Sequence, residues 1–326
     1  MKAIRIDESS PKRALILEEQ PEPVCGADDV LIDVVAAGVN RADLLQRAGK
    51  YPPPPGASQI LGLEVSGVVA ACGTNVSEFS VGDRVCALLA GGGYAERVSV
   101  SAAHVMKLPE PLSFEAGAGL PEAYITAYLN LCLEGELQPG ERVLIHGGSS
   151  GVGTAAIQIC RALGAQVACT VGSADKAARC AELGAECCIN YKTDDFVSAG
   201  KKWSPDGVDL ILDCVGGDYL ARDVQLLGFG GRVVLIASMG GATGSVPIPE
   251  LMRKRAKIIG SVLRSRTDSE KAAIVSSFTK DILPKVARGE LRVIVDSVLP
   301  LAEADAAHER MASSAHVGKL ILRVRG

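Results

Sequence analysis

Residues 146–165 read HGGSSGVGTAAIQICRALGA. A glycine-rich turn runs into a segment whose apolar residues recur at helical spacing. The preceding ERVLIHG has the unbroken apolar character of a strand buried on both faces. Strand, glycine turn and helix form the geometry in which free N–H groups and the positive end of a helix meet a phosphate. The last part of the turn, GSSGVG, fits G-x-x-G-x-G better than the common G-x-G-x-x-G. Gly148 is expected to make the tight turn, and Gly153 to let the helix pack close to the strand. Ser150 stands where a second glycine usually admits a pyrophosphate, and Gly151 supplies that approach one position later. An isolated motif of this kind also fits a turn that holds nothing, so its surroundings decide.

From about residue 121 to 266 strands alternate with helices. ERVLIHG, QVACTVG, AECCINY, VDLILDCVG, GRVVLIAS and AKIIGSVL are the strands; TAAIQICRALG, DKAARCAELG, DDFVSAGKKW, YLARDVQLLG and PELMRKRA lie between them. Six apolar strands with helical crossovers predict a doubly wound parallel sheet. Residues 1 to about 120 instead carry short alternating runs such as VLIDVVAAG and VSGVVAACG, broken by Gly, Pro and Asn, which predict a β-rich domain with a partly closed sheet. After residue 266 come one amphipathic helix over SEKAAIVSSFTKDILPKVARG, a strand at VIVDSVLP, a helix at ADAAHERMAS and a strand at GKLILRV. We read this tail as rejoining the first domain. The domains are then 1–120 with 267–326, and an inserted 121–266.

The second inserted strand ends near Gly172, where an NAD site usually carries an acid for the ribose hydroxyls. Here Gly172 and Ser173 leave room for a 2′-phosphate, and Lys176 and Arg179 follow with positive charge. Asp175 lies past the strand end and is read as a helix cap. The reading is NADPH.

Composition bounds the rest. The chain has 326 residues, a net charge of -4 and both signs mixed along its length, which argues against a nucleic-acid surface. No apolar run is long enough to span a membrane, and Met1–Ile6 reads as a strand rather than a leader. Ten cysteines show no disulfide or metal spacing and are read as reduced, mostly buried small hydrophobes of a cytoplasmic protein.

LGLEVSG, residues 61–67, resembles the G-H-E-x-x-G of the zinc alcohol dehydrogenases in the medium-chain dehydrogenase/reductase superfamily. Leu63 stands in the histidine slot, and Asn40, in AAGVNRAD, in the cysteine slot. The cysteine-rich structural zinc lobe is missing after VGDRVCALL. Four histidines (His104, His146, His308 and His316) show no ligand spacing and are read as structural or solvated. No metal is expected. GVNRADLLQRAGKYPPPPGAS, GGSSGVG, INYKTDDF, ILDCVGG and VLRSRT resemble the zinc-free quinone oxidoreductase branch of that superfamily. The resemblance implies an α/β fold: a GroES-like β-rich catalytic domain with an inserted Rossmann six-stranded parallel sheet.

It also implies roles. Asn40 and Tyr51 line the acceptor pocket as catalytic residues, Asn40 bonding a developing oxyanion and Tyr51 or water supplying a proton. Thr126 lies near the nicotinamide. Ser150, Gly151, Val152 and Gly153 follow the pyrophosphate. Ser173, Lys176 and Tyr191 surround the 2′-phosphate, and Cys214 and Val215 flank the adenine side. Ser238, Met239, Leu263, Arg264 and Ser265 contact the nicotinamide half, and Lys319 approaches the cofactor. The expected activity is NADPH-dependent reduction of quinones by hydride or single-electron transfer. An enone or 2-enoyl-thioester reductase, with Tyr51 as proton donor, stays open, as does a non-enzymatic or RNA-binding NADPH protein. The sixth inserted strand should lie at a sheet edge and pair two copies into a homodimer.

Overall fold

The computed structural model describes residues 1–325. They form two compact units, one of residues 1–125 with 264–326 and one of residues 126–263.

In the first unit, β1 (Lys2–Ile6) pairs antiparallel with β2 (Leu15–Glu19). The long β3 (Asp29–Val39) alternates buried and half-buried residues until Ala36, as a sheet strand with one face on a core should. It leads into α1 (Arg41–Arg47), then β4 (Glu64–Cys72), β5 (Arg84–Leu88), β6 (Arg97–Ser101), β7 (Val105–Lys107), α2 (Phe114–Ala118) and α3 (Pro121–Tyr128). The second unit begins within α3. It runs β8 (Arg142–Ile145), α4 (Gly151–Ala162), β9 (Gln166–Val171), α5 (Ala174–Glu182), β10 (Cys187–Asn190), α6 (Phe196–Trp203), β11 (Val208–Asp213), α7 (Tyr219–Leu226), β12 (Leu227–Leu235), α8 (Ile248–Lys254) and β13 (Lys257–Gly260). The chain then adds α9 (Asp268–Asp281), α10 (Leu283–Ala287), β14 (Val295–Pro300), α11 (Ala304–Ser313) and β15 (Lys319–Arg323) to the first unit.

The inserted sheet is parallel throughout, in the order β10-β9-β8-β11-β12-β13. Direction along the sheet reverses between β8 and β11, the switch point outside whose strand ends such sheets bind ligands. β13 is an edge strand. In the other sheet, ordered β14-β15-β3-β4-β5-β7 with β6 on β3, the tail strand β15 lies antiparallel against β3, so the tail completes the sheet that β3 began, while β1 and β2 form a two-stranded sheet of their own. Val30, Ile32, Val34, Val65 and Leu320 are among the residues of its core, and Leu144, Phe196, Ile211 and Val233 of the inserted one. Fully burying an aliphatic side chain of this size contributes about 1.5–3 kcal/mol.

One expected helix is two. Pro284 has no N–H to offer to a helical ladder, and the chain breaks at Ile282 between α9 and α10. The cysteines also differ from expectation: all ten are free, but only Cys86, Cys160, Cys169 and Cys180 are fully buried and the rest are half-buried. All four histidines are buried, so none is solvated. Among the described residues no helix is long and apolar enough to cross a membrane.

Candidate functional site

In the inserted unit the site is made of backbone. Gly147, not Gly148, takes the left-handed conformation that makes the turn, with φ of 70°. Gly148 is needed for closeness: a β-carbon there would lie 2.6 Å from Cys169 Cβ. At Gly153 a β-carbon would lie 2.3 Å from the Gly147 carbonyl oxygen, so the first turn of α4 packs directly on the glycine turn. Ser150 sits in extended backbone as the helix cap, its Oγ accepting the Gly153 N–H at 3.0 Å. Gly151 and Val152, half-buried, open the helix with free donors.

At the end of β9 a side chain on Gly172 would meet the Tyr191 hydroxyl at 2.8 Å. Ser173, not Asp175, caps α5, accepting the Lys176 N–H at 3.4 Å; Asp175 is exposed in the first turn. Gly172, Ser173, Lys176 and the 47% exposed Tyr191 thus gather around one strand end. After β11, Asp213 Oδ1 accepts the N–H groups of Val215 at 2.6 Å and Gly216 at 3.0 Å, which shapes the loop carrying Cys214 and Val215. The Cys214 thiol donates to the His146 carbonyl at 3.4 Å. The loop after β12, with exposed Ser238 and Met239, is tied to the same place: Met239 N–H donates to the Cys214 carbonyl at 3.4 Å and Gly240 N–H to that of Val215 at 2.7 Å. Thr126 is half-buried in α3, its carbonyl accepting from Asn130 at 2.7 Å. Leu263 is buried beyond β13. The structure therefore assembles the turn at 147–153 and the loops at 214–216 and 238–240 at the carboxyl ends of β8, β11 and β12.

Sequence reasoning did not foresee what lies beneath. His146 is buried, its Nδ1 3.1 Å from Thr170 Oγ1 and its Nε2 2.8 Å from Asp223 Oδ1. It meets Phe196 and Tyr219 edge-on, at centroid distances of 4.8 and 4.9 Å. Burial, then the neighbouring Asp223, push Asp213 up to about 6. His146, Asp213 and Asp223 bring ligand-type atoms within 4.8 Å of one another. Both His146 nitrogens and both Asp213 oxygens are already spent on protein partners, so the cluster fixes the strand ends that carry the turn and the 214–216 loop.

The other unit holds a site made of side chains. Asn40, at the end of β3 and 9% exposed, donates its side-chain amide to Glu64 Oε1 at 2.9 Å. Its Oδ1 accepts the Lys319 ammonium at 2.6 Å. Lys319 also reaches Val39 O at 2.9 Å and Glu64 Oε1 at 2.6 Å, so its three hydrogens have three acceptors in this unit. Glu64 Oε2 accepts the Glu122 N–H at 2.8 Å. Glu64 is 0% exposed and Lys319 3%. Asn40 N–H donates to Asp43 Oδ2 at 2.7 Å, which also receives the Tyr94 hydroxyl at 3.0 Å, and Tyr94 lies 3.3 Å from the buried His308. These residues do not fit a zinc ion. Leu63, buried, has no donor atom, and an ammonium already occupies Asn40 Oδ1 and Glu64.

Tyr51 is half-buried, and the Arg264 guanidinium lies 5.2 Å from its ring centroid. Arg264 belongs to this unit, where it donates to Gln46 Oε1 at 2.7 Å and twice to Ala90 O at 3.0 and 2.7 Å. It braces Tyr51 and the glycine run after Ala90; Ser265 beside it is exposed. Burial, then Glu122, hold the Tyr51 hydroxyl above its ordinary value, with Arg264 opposing. Burial, then Glu64, push Glu122 up to about 8, with Lys319 and Arg264 opposing and Asp43 adding to the rise. Glu122 is a further residue that sequence reading missed. The only signal was an acid directly after Pro121 at a helix start, which reads as ordinary dipole chemistry.

Comparison with known proteins agrees with this architecture. Residues 26–110 match the model of the alcohol dehydrogenase GroES-like domain, and residues 151–277 that of the zinc-binding dehydrogenases. Human quinone oxidoreductase is 34% identical over 99% of this chain and 97% of its own. The quinone oxidoreductase of Thermus thermophilus, solved alone and with NADPH, is 35% identical with a TM-score of 0.82, covering 99% of this chain and 100% of that one. The CurK enoyl reductase is 28% identical with a TM-score of 0.85, covering 99% of each chain.

Proposed function

The chain belongs to the medium-chain dehydrogenase/reductase superfamily, and from that premise we propose that it is an NADPH-dependent reductase of quinones that works without a metal. The observation that carries the reading is the strand end at Gly172, Ser173, Lys176 and Tyr191: a hydroxyl-lined corner where Tyr191 closes on a glycine beside a lysine, with no acid where a ribose would be held. The first turn of α4 would hold the pyrophosphate through Gly151, Val152 and Gly153. The loops carrying Cys214, Val215, Ser238 and Met239, with Thr126 and Leu263, would border the rest of the dinucleotide. When bound, NADPH would supply the reducing equivalents, as hydride or as single electrons.

The chain's own residues do the remaining work. Asn40, anchored by Glu64 and Lys319, keeps one amide hydrogen for an acceptor oxygen that gains charge. Tyr51, kept neutral by burial, holds a proton for that oxygen. Glu122, protonated up to about pH 8, stocks a second proton beside it. Arg264 fixes Tyr51 in place through stacking rather than touching substrate itself.

Turnover of NADPH and NADH with a panel of ortho- and para-quinones tests the reading, with metal analysis on the same sample. NADPH should be preferred, and Lys176→Ala should weaken NADPH binding about tenfold while leaving NADH unchanged. Equal use of both coenzymes, or neither, would defeat it. The second reading, an enone or 2-enoyl-thioester reductase, is favoured by Tyr51 and by the likeness to the CurK enoyl reductase. Crotonyl-thioester turnover faster than quinone turnover, with loss of both in Tyr51→Phe, would select it. Two copies are expected to pair along the β13 edge in the cytoplasm; a solution mass of one chain would contradict the pairing.

A further inference from the structure

Three thiols lie under the glycine turn. Cys169 on β9 and Cys188 on β10 stand directly opposite one another in the parallel ladder, and their sulfurs are 3.7 Å apart, with Cys169 donating to Cys188. Cys180 of α5 also shares a side-chain hydrogen bond with Cys169. Cys169 and Cys180 are fully buried, whereas Cys188 is half-buried and open to small reagents. Its neighbour Cys187 has similar exposure but faces Ala168 in the ladder, so no second thiol lies across from it. The hydrogen bond from Cys169 holds the Cys188 thiol below its ordinary value, while Cys180 and then Cys188 hold Cys169 up. One sulfur is thus accessible and inclined to be a thiolate, and the other keeps its proton and waits beside it.

We propose that Cys188 and Cys169 are a dithiol that hydroperoxides oxidise to a disulfide across β9 and β10. The Cys188 thiolate attacks the outer oxygen of the hydroperoxide; the O–O bond breaks, a sulfenic acid forms, and the alkoxide or hydroxide leaves with a proton from solvent. Cys169 sulfur then attacks the Cys188 sulfenic sulfur, the S–O bond breaks, and the departing hydroxide takes the Cys169 proton as water. In total, two thiols and one hydroperoxide give one disulfide, one alcohol or water, and one water. Closing the pair draws the two sulfurs from 3.7 Å to about 2.05 Å. The Cys169 sulfur is also the atom against which Gly148 packs: a β-carbon on Gly148 would lie 2.7 Å from it. Moving that sulfur removes the floor of the turn at 147–153, so oxidation loosens the turn.

The test is hydrogen peroxide added to the full chain near neutral pH, followed by alkylation of the remaining thiols and non-reducing peptide mass mapping. A Cys169–Cys188 cross-link, lighter by two hydrogens and reversed by dithiothreitol, is expected. Cys188 should be consumed on the order of tenfold faster than Cys187. Amide exchange over residues 147–153 should quicken on oxidation and recover on reduction, a readout that needs no coenzyme. In Cys188→Ser, Cys169 should remain a thiol; in Cys169→Ser, or Cys169→Ala if serine is not tolerated in the core, Cys188 should proceed to sulfinic acid. A dominant Cys169–Cys180 cross-link, or Cys188 reacting no faster than Cys187 without any cross-link, overturns the proposal.

Discussion

At residues 147–153 the chain shapes its site with backbone; at Asn40, Glu64 and Lys319 it uses side chains that meet across 24 and 279 positions of sequence. The two regions store their stability differently. The glycine turn depends on atoms that are absent, since a β-carbon at Gly148 or Gly153 would collide with neighbouring atoms. The Asn40 cluster depends on charges that are present and fully desolvated, so each is tolerable only while its partner stays. One region fails by crowding and the other by loss of pairing.

The largest effect expected from this contrast is in Lys319→Met. It leaves Glu64, 0% exposed, with an uncompensated charge, and breaking a buried pair costs about 3–5 kcal/mol. Urea unfolding at neutral pH measures it. Adding Glu64→Gln to the same chain should recover most of the loss, because the stranded charge is then gone. A loss below about 1 kcal/mol in the single variant would mean that the pair acts as an exposed one.

Next in size is Gly153→Ala. The new β-carbon would lie 2.3 Å from a backbone oxygen that has no side-chain freedom to move aside, and such overpacking costs about 1–3 kcal/mol. Gly260→Ala at the end of β13 is the control: nothing lies within 4 Å of its β-carbon, and its effect should stay within about 0.5 kcal/mol. Thermal unfolding of the two variants reads the difference. Equal stability would show that the turn at Gly147 yields to α4, and that its shape is not fixed by contact.

The same contrast explains what could be read beforehand. Strand–turn–helix order, the six parallel strands and the return of the tail to the first sheet leave local imprints, because hydrophobic period and glycine placement are local properties. The turn's inner assignments were less legible. Gly147 and Gly148 are adjacent and identical, and only the fold shows that one needs its φ and the other its missing β-carbon. Ser173 and Asp175 are both good caps, and the strand end decided between them. Asn40 was expected in the acceptor pocket and Lys319 near the cofactor, but that the two share a buried cluster with Glu64 leaves no local trace, because 279 positions separate them. Nothing local in LPEAY separates Glu122 from any acid opening a helix.

Glu122 offers the smallest effect and the finest test of the side-chain region. Its carboxyl is raised from the ordinary 4.5 to about 8, facing Glu64, Asp43, Lys319, Arg264 and Tyr51. Between those values the folded chain keeps a proton that the unfolded chain has released. Stability therefore falls as pH rises through that window and is level above it. Asp43, raised to about 6, adds to the lower part of the same slope. Glu122→Gln should flatten the upper part, from about pH 6 to 8, and gain on the order of 1 kcal/mol above pH 8, well under the full shift because the Glu122 side chain is only half-buried. If the protonated carboxyl serves turnover, the wild-type rate with quinone falls as pH passes about 8, and the glutamine variant loses that limb while its stability improves. A variant with the wild-type stability slope would mean that water reaches Glu122 and that the pairing of Lys319, Glu64 and Asn40 ends short of it.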